Sequence, residues 1–143
     1  MYRRILVPLD GSERAEAVLP AAKSEASHHQ ATLVLMRVVP PLRQGLMLIP
    51  SILDDVREQA MEMARDYLDD MAQTLRAEGL EVETEVQFGA PAALIVEFAE
   101  RSECDLIIVG SHGQSGASQW RFGSVANKIV KVRTPMPVLV INT

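Results

Sequence analysis

The chain has 143 residues, of which 48% are hydrophobic and 23% charged, a balance typical of one globular domain over residues 1–143. Its net charge of −5 argues against a nucleic-acid partner, and its one cysteine excludes an internal disulfide and any multi-cysteine metal site. No apolar run approaches membrane-spanning length and no signal region precedes the first strand, so we expect a cytoplasmic protein without membrane contact.

The amino-terminal third of the chain predicts a strand, a helix and a second strand. Residues 4–9 form a short apolar run that Asp10 closes, which indicates a buried strand. Either Ser12 or Asp10 can cap the helix that follows, whose apolar stripe covers residues 15–26. Residues 32–39 form another buried strand, which two prolines stop.

A loop and the longest helix occupy the middle of the chain. The loop at residues 42–50 is rich in apolar side chains, which favours either folding over the core or contact with a partner. Ser51 can cap a helix that runs to about Glu78. The apolar stripe of this helix consists of Ile52, Val56, Met63, Tyr67, Leu68, Met71 and Leu75.

The second half of the chain continues the alternation of strands and helices. Residues 81–88 alternate between apolar and polar side chains, which indicates a half-exposed strand at a sheet edge. A helix over 91–101, a buried strand over 106–109, a helix over 125–131 and a strand over 138–141 follow. Because alternating strands and helices form a parallel sheet covered on both faces, we expect a doubly wound α/β fold with five strands.

The most informative stretch lies between the fourth strand and the last helix. Gly110 and Gly113 follow the strand, nine residues intervene, and Gly123 with Ser124 opens the helix. Such a junction leaves backbone N–H groups without partners at the positive end of a helix dipole, which favours a phosphate. The glycines are too dispersed for a dinucleotide fingerprint, and no Gly-Lys-Ser or Gly-Lys-Thr is present for a Walker loop. No acidic residue follows Asp105, so the local field also favours an anion.

This Gly-x2-Gly-x9-Gly-Ser pattern is that of the ATP-binding universal stress proteins, and the chain resembles that family over essentially its whole length. The resemblance also covers the opening strand with its end at residues 10–12 and the closing residues 135–141. It implies the strand order 3-2-1-4-5, in which the direction of winding reverses between strands one and four. The carboxyl ends of these strands are residues 8–10 and 110–113, where we expect the ligand crevice.

The resemblance implies a role for each residue on the adenosine side of the crevice. Asp10 matches the acidic residue that contacts the ribose hydroxyls, although a helix cap is the alternative for this carboxylate. Val38 lies where the family offers main-chain N–H and C=O groups to adenine, and Pro8 and Leu9 would line the base pocket. Arg37 departs from the family, which commonly has histidine before this valine.

Five residues match the positions at which the family holds the phosphates of ATP: Gly110, Gly113, Gly123, Ser124 and Val125. The first two glycines allow the backbone to approach the phosphates closely. The backbone N–H groups at 123–125 and the Ser124 hydroxyl would complete the cradle. A plain N-cap is the alternative for Ser124, and because capping and phosphate binding use the same geometry the two roles are compatible.

Ser111 and His112 belong to the loop that the resemblance places against the nucleotide. The His112 imidazole could act as a general base or as a phosphoryl acceptor. The resemblance instead implies that its backbone serves the phosphates, and the sequence places no second group to activate the ring. The carboxylate pair of a two-metal site is also missing, so we expect Mg²⁺ or another divalent ion to be carried on the triphosphate of ATP.

The sequence therefore predicts an ATP-binding universal stress protein that works as a small nucleotide-responsive module in the stress response. A slow ATPase or autokinase that uses the same pocket is one alternative, and a nucleotide-free interaction protein is another. The last strand, 138–141, is wholly apolar and would lie at a sheet edge. The family commonly forms homodimers by pairing this strand, although its side chains could merely pack against helices; a further protein partner is not identified.

Overall fold

The computed structural model describes residues 1–41, 49–112 and 124–143, except for the side chain of Ser124. Within these ranges strands and helices alternate as the sequence predicts. The elements are β1 (Arg4–Pro8), α1 (Glu13–Glu16), α2 (Leu19–His29), β2 (Thr32–Val39), α3 (Pro50–Ala77), β3 (Glu81–Phe88), α4 (Pro91–Arg101), β4 (Leu106–Gly110), α5 (Ser124–Lys131) and β5 (Val138–Ile141). Most of the loop predicted at residues 42–50 lies outside the described residues, so its two interpretations stay open.

The five strands form one sheet in the order β3-β2-β1-β4-β5, and every neighbouring pair is parallel. This confirms the predicted fold class and strand order, and it confirms that β3 lies at an edge. No helix among the described residues is both long and apolar enough to cross a membrane.

Strand β1 lies at the centre of the sheet and contributes side chains to two cores. Ile5 packs on one face with Leu68 of α3 and with residues of α1 and α2. Leu6 packs on the other face with Ile129 of α5 and with residues of α4. Because both faces of the sheet are covered, the strand is a continuous apolar run without an exposed side. Because β1 is the central strand, its carboxyl end lies in the middle of the row of strand ends that we call the carboxyl edge of the sheet.

The helix predicted over residues 15–26 is two helices in the structure, which corrects that prediction. Helix α1 ends at Glu16 and α2 begins at Leu19, with Pro20 in its first turn. Proline has no N–H group, and its ring collides with the carbonyl of the residue four positions earlier. A continuous helix is therefore interrupted here, and Pro20 instead takes the first-turn position that suits it.

The apolar stripe predicted for α3 is buried only in its second half, so the prediction is wrong for the first half. Leu68 and Leu75 are 0% and 3% exposed, whereas Ile52, Val56 and Met63 are 54%, 38% and 73% exposed. The reason is length: the 28 residues of α3 rise roughly 42 Å. A strand of 8 residues, such as β2 or β3, extends only about 26 Å, so the helix outruns the sheet that it covers.

Candidate functional site

The carboxyl edge of the sheet brings the ends of β1 and β4 together. Leu6 of β1 pairs with Ile107 of β4, and Asp10 and Ser111 each lie four residues beyond this pair. The chain leaves β1 toward β2 on one side, whereas β4 and β5 lie on the other side, so the winding reverses here. Ligands of open parallel sheets bind in the crevice at such a point. The expected crevice lies between residues 8–10 and 110–113; of these, residues 8–10 and 110–112 are described and lie at this edge.

The residues predicted to surround adenine lie where β1 and β2 end. Pro8 is paired with Met36, and the Leu9 N–H donates to the Met36 carbonyl at 2.8 Å. The side chain of Leu9 is 4% exposed and packs in the core beneath α1 and α2. That of Val38 is 8% exposed and packs in the opposite core. Their backbones, in contrast, form part of the carboxyl edge.

Asp10 supports the start of α1 without capping it. Its Oδ1 accepts hydrogen bonds from the Ser12 N–H at 2.9 Å and from the Ser12 hydroxyl at 2.6 Å. The Ser12 Oγ in turn accepts from the Ala15 N–H at 3.1 Å, which makes Ser12 the N-cap. A carboxylate can accept about four hydrogen bonds, so the contacts with Ser12 are compatible with ribose hydroxyls as additional donors.

The turn between Asp10 and Ser12 is covered by Arg37, the residue that departs from the family pattern. Gly11 has a φ of +86°, a conformation that favours glycine. A Cβ at this position would lie 3.0 Å from Nη1 of Arg37. The guanidinium carbon of Arg37 also lies 5.7 Å from the centroid of the Tyr67 ring. Arg37 therefore joins β2 to the turn after β1 and to α3.

Tyr67 and Glu16 complete this polar cluster, and the sequence analysis predicted neither role. The Tyr67 hydroxyl donates to Oε2 of Glu16 at 2.6 Å. Burial and this bond to a carboxylate raise the pKa of Tyr67 above its ordinary value. The sequence predicts Tyr67 as one member of the apolar stripe of α3 and assigns no role to Glu16. Only the packing of α3 beside α1 brings the two side chains together.

The turn after β4 is held by the residues that follow β5. The Ser111 N–H donates to the Ile141 carbonyl at 2.8 Å, and the Ser111 side chain is 3% exposed. Oγ of Ser111 lies 3.0 Å from Nδ1 of His112. The His112 N–H donates to Oγ1 of Thr143 at 3.2 Å. Ser111 and His112 thus lie at the predicted crevice, but the described contacts of their backbone N–H groups are with the end of β5.

The rest of the predicted phosphate cradle is described only in part. Gly113 and Gly123 lie outside the described residues. Ser124 begins α5, and Val125 is partly buried against the core beside α4. The helix thus begins where the sequence predicts, directly after residues 113–123, which we call the glycine segment. Among the described residues, no group of three or more His, Cys, Asp and Glu side chains could hold a metal ion.

These features define a doubly wound α/β protein with a ligand crevice at the reversal of its winding. The model of the universal stress protein family matches residues 1–142, and the chain belongs to that family. The family resemblance inferred from the glycine pattern is therefore confirmed.

Individual relatives agree over the full length of the chain. The universal stress protein YxiE of Bacillus subtilis is 29% identical over 148 residues, which cover 99% of each chain. The solved structure of MJ0577, a universal stress protein of Methanocaldococcus jannaschii, has a TM-score of 0.88 at 28% identity and covers 100% of this chain and 97% of its own. A universal stress protein from Archaeoglobus fulgidus, solved in complex with dAMP, has a TM-score of 0.68 at 26% identity and 98% coverage of both chains.

Proposed function

We propose that this protein binds ATP in the crevice between β1 and β4 and acts as a nucleotide-responsive module of the stress response in the cytoplasm. The observation that carries the proposal is the meeting of Asp10 and the Gly110 turn at one edge of the sheet, where the winding reverses. The dAMP complex of the relative from Archaeoglobus fulgidus supports an adenine nucleotide as the ligand class.

The residues divide into an adenosine side and a phosphate side. Pro8, Leu9 and Val38 would surround adenine mainly through their backbones, because the side chains of Leu9 and Val38 pack into the cores. Asp10 would accept hydrogen bonds from the ribose hydroxyls. The phosphate side would consist of Gly110, Ser111, His112, Gly113, Gly123, Ser124 and Val125.

The chemistry of the phosphate side suits an anion. The N-terminus of α5 offers backbone N–H groups and the positive end of a helix dipole. The sequence beyond Asp105 contains basic but no acidic residues, which strengthens the attraction. Because the described residues contain no cluster of metal ligands, we propose that Mg²⁺ or another divalent ion arrives on the phosphates. The ion would neutralise part of the triphosphate charge.

Slow ATP hydrolysis or autophosphorylation is a second candidate, which one contact favours. The Ser111 hydroxyl lies 3.0 Å from Nδ1 of His112, and a hydrogen bond here would orient the imidazole. The sequence alone placed no such group. Ser111 is 3% exposed, however, so its hydroxyl is not accessible as a nucleophile. The Ser111–His112 pair therefore supports at most slow ATP hydrolysis or autophosphorylation assisted by the His112 imidazole.

We further propose a homodimer in which β5 pairs with its two-fold mate. Among the described residues, β5 pairs with β4 alone. The carbonyls of Pro137 and Ile141 accept hydrogen bonds from β4 and from the residue after it. Because backbone groups alternate along a strand, Val138 and Val140 present theirs to the outside. An edge of this kind favours pairing with another strand, and a two-fold pair would close it.

Mass spectrometry of the freshly purified, denatured protein tests the proposal directly. We expect a co-purified adenine nucleotide, or, after its removal, heat of binding on titration with ATP and Mg²⁺. Titration in the presence of a chelator separates the contribution of the divalent ion. A protein that neither retains nor binds an adenine nucleotide would instead be the nucleotide-free interaction protein.

A further inference from the structure

Thr143 contacts the turn after β4 with its methyl group, its backbone N–H and its hydroxyl. Its Cγ2 lies 3.2 Å from the point where a Cβ on Gly110 would stand. Its N–H donates to Oγ of Ser111 at 3.0 Å, and its Oγ1 accepts from the His112 N–H at 3.2 Å. We call this set of contacts the Thr143 anchor. It joins residues that are 31 or more positions apart in the sequence.

One residue of the anchor, Ser111, is buried. Ser111 is 3% exposed, and its N–H extends the β4–β5 ladder by donating to the Ile141 carbonyl at 2.8 Å. The Ser111 hydroxyl is therefore a buried polar group, and it accepts a hydrogen bond from the Thr143 N–H. The Arg14 carbonyl of α1 also lies 3.4 Å from the Cβ position of Gly110. Both α1 and Thr143 therefore lie close to the backbone at Gly110.

The anchor holds His112, the residue directly before the glycine segment. Oγ1 of Thr143 supplies the His112 N–H with an acceptor inside the protein. A hydroxyl on a β-branched side chain is well suited to this contact because its χ1 angle has few alternatives. Loss of the hydroxyl would remove this acceptor for the His112 N–H while leaving the β4–β5 pairing intact.

We propose that Thr143 is a positioning residue for the phosphates of the bound nucleotide, although it contacts only the loop that would hold them. The inference rests on the proposed function, since it takes the glycine segment as the phosphate site. It predicts a selective effect: loss of the anchor weakens the binding of ATP but not of adenosine. A residue with a merely structural role would affect the two ligands alike.

Two substitutions separate the hydroxyl from the methyl group. Thr143→Val keeps the branched shape and removes the acceptor for the His112 N–H, whereas Thr143→Ser keeps the acceptor and removes Cγ2. Thr74→Val is the matched control, because Thr74 lies on the exposed side of α3 and its hydroxyl donates to the Asp70 carbonyl one turn away. Calorimetric titration with ATP and with adenosine gives the dissociation constants, and thermal melts report folding.

We expect Thr143→Val to weaken ATP binding about five- to tenfold while adenosine binding stays within about twofold. Thr143→Ser and Thr74→Val should bind both ligands as the wild type does. Equal ATP affinity in Thr143→Val and wild type would overturn the inference, and so would a parallel loss for both ligands. If Thr143→Val does not fold, Thr143→Ala removes the same hydroxyl without adding a methyl group, and the same selective loss is expected. A wild type that binds no ATP would defeat the proposed function itself, which is a separate result.

Discussion

The hydroxyl of Tyr67 on α3 donates a hydrogen bond of 2.6 Å to the carboxylate of Glu16 on α1. The two residues are 51 positions apart, and the bond joins α3 to α1, the helix that follows the turn with Asp10. Arg37 lies over the ring of Tyr67 and beside Gly11 in the same turn. The polar cluster of Tyr67, Glu16 and Arg37 therefore stabilises the carboxyl edge near the proposed ribose site, in addition to apolar packing.

Tyr67→Phe should lower the free energy of unfolding by about 1 kcal/mol at neutral pH, because it removes one hydrogen bond and leaves Glu16 without this donor. The pKa of Tyr67 is raised in the folded protein above its ordinary value of 10.0. The stability that comes from the protonated hydroxyl is thus fully present below about pH 10 and is lost as the pH rises further. Urea unfolding of both proteins should show their difference shrinking above that pH. A difference that stays constant with pH would contradict this account.

Gly110→Ala should destabilise the fold by roughly 1–3 kcal/mol, because the new Cβ has little room. It would lie 3.2 Å from both the His112 carbonyl oxygen and Cγ2 of Thr143. Thr143→Ser removes the second of these atoms, so Gly110→Ala should cost less stability in that background. Denaturant unfolding of the two single variants and the double variant measures the coupling. Strictly additive effects would show that the two residues do not restrict each other.

Gly113→Val should abolish ATP binding, because it puts a branched side chain where the backbone is expected to approach a phosphate. Ala77→Val is the matched control, since Ala77 is exposed at the C-terminal end of α3, from which the chain enters the amino end of β3. Calorimetry on the two variants and the wild type provides the comparison. Equal affinity in Gly113→Val and wild type would remove the phosphate cradle from the proposal.

His112→Ala should change the free energy of ATP binding by no more than about 1 kcal/mol, because the proposal assigns the phosphate contact to the His112 backbone and not to its side chain. ATP turnover by the wild type should be slow compared with a typical enzyme rate of about 10 per second. Phosphate release assays on both proteins measure this rate. Turnover near the typical rate that His112→Ala abolishes would make the protein an enzyme with an essential imidazole.

Val140→Pro should shift the protein from dimer to monomer, because Val140 presents its N–H to the outside of β5 and proline removes that donor. The bonds from β5 to β4 involve the alternate residues and should survive. Light scattering coupled to gel filtration should give about twice the 15.7 kDa chain mass for the wild type and for the control Val140→Ala. Circular dichroism verifies the fold of each variant. A monomeric wild type at roughly tens of micromolar would refute pairing through this edge.

Local chemistry was sufficient to predict the sheet and the place of the crevice. Apolar runs bounded by turn residues revealed the strands, their alternation with helices implied a parallel sheet, and the glycine spacing supplied the family resemblance and with it the strand order. Asp10 and Gly110 could be placed at one edge because both directly follow central strands of known direction. The elements and the parallel sheet need only near neighbours in the chain and the general rules of chain connection, whereas the strand order came from the family resemblance.

Contacts between distant segments were decided by the tertiary structure alone. Thr143 and Tyr67 carried no local signal, since their partners lie 31 and 51 residues away and depend on how β5 and α3 pack. The exposure of Ile52 on α3 likewise follows from a helix longer than the sheet, which periodicity along the helix does not reveal. A sequence pattern shows which side of an element is apolar. Only the packed fold determines how far that side is covered and which polar groups meet across it.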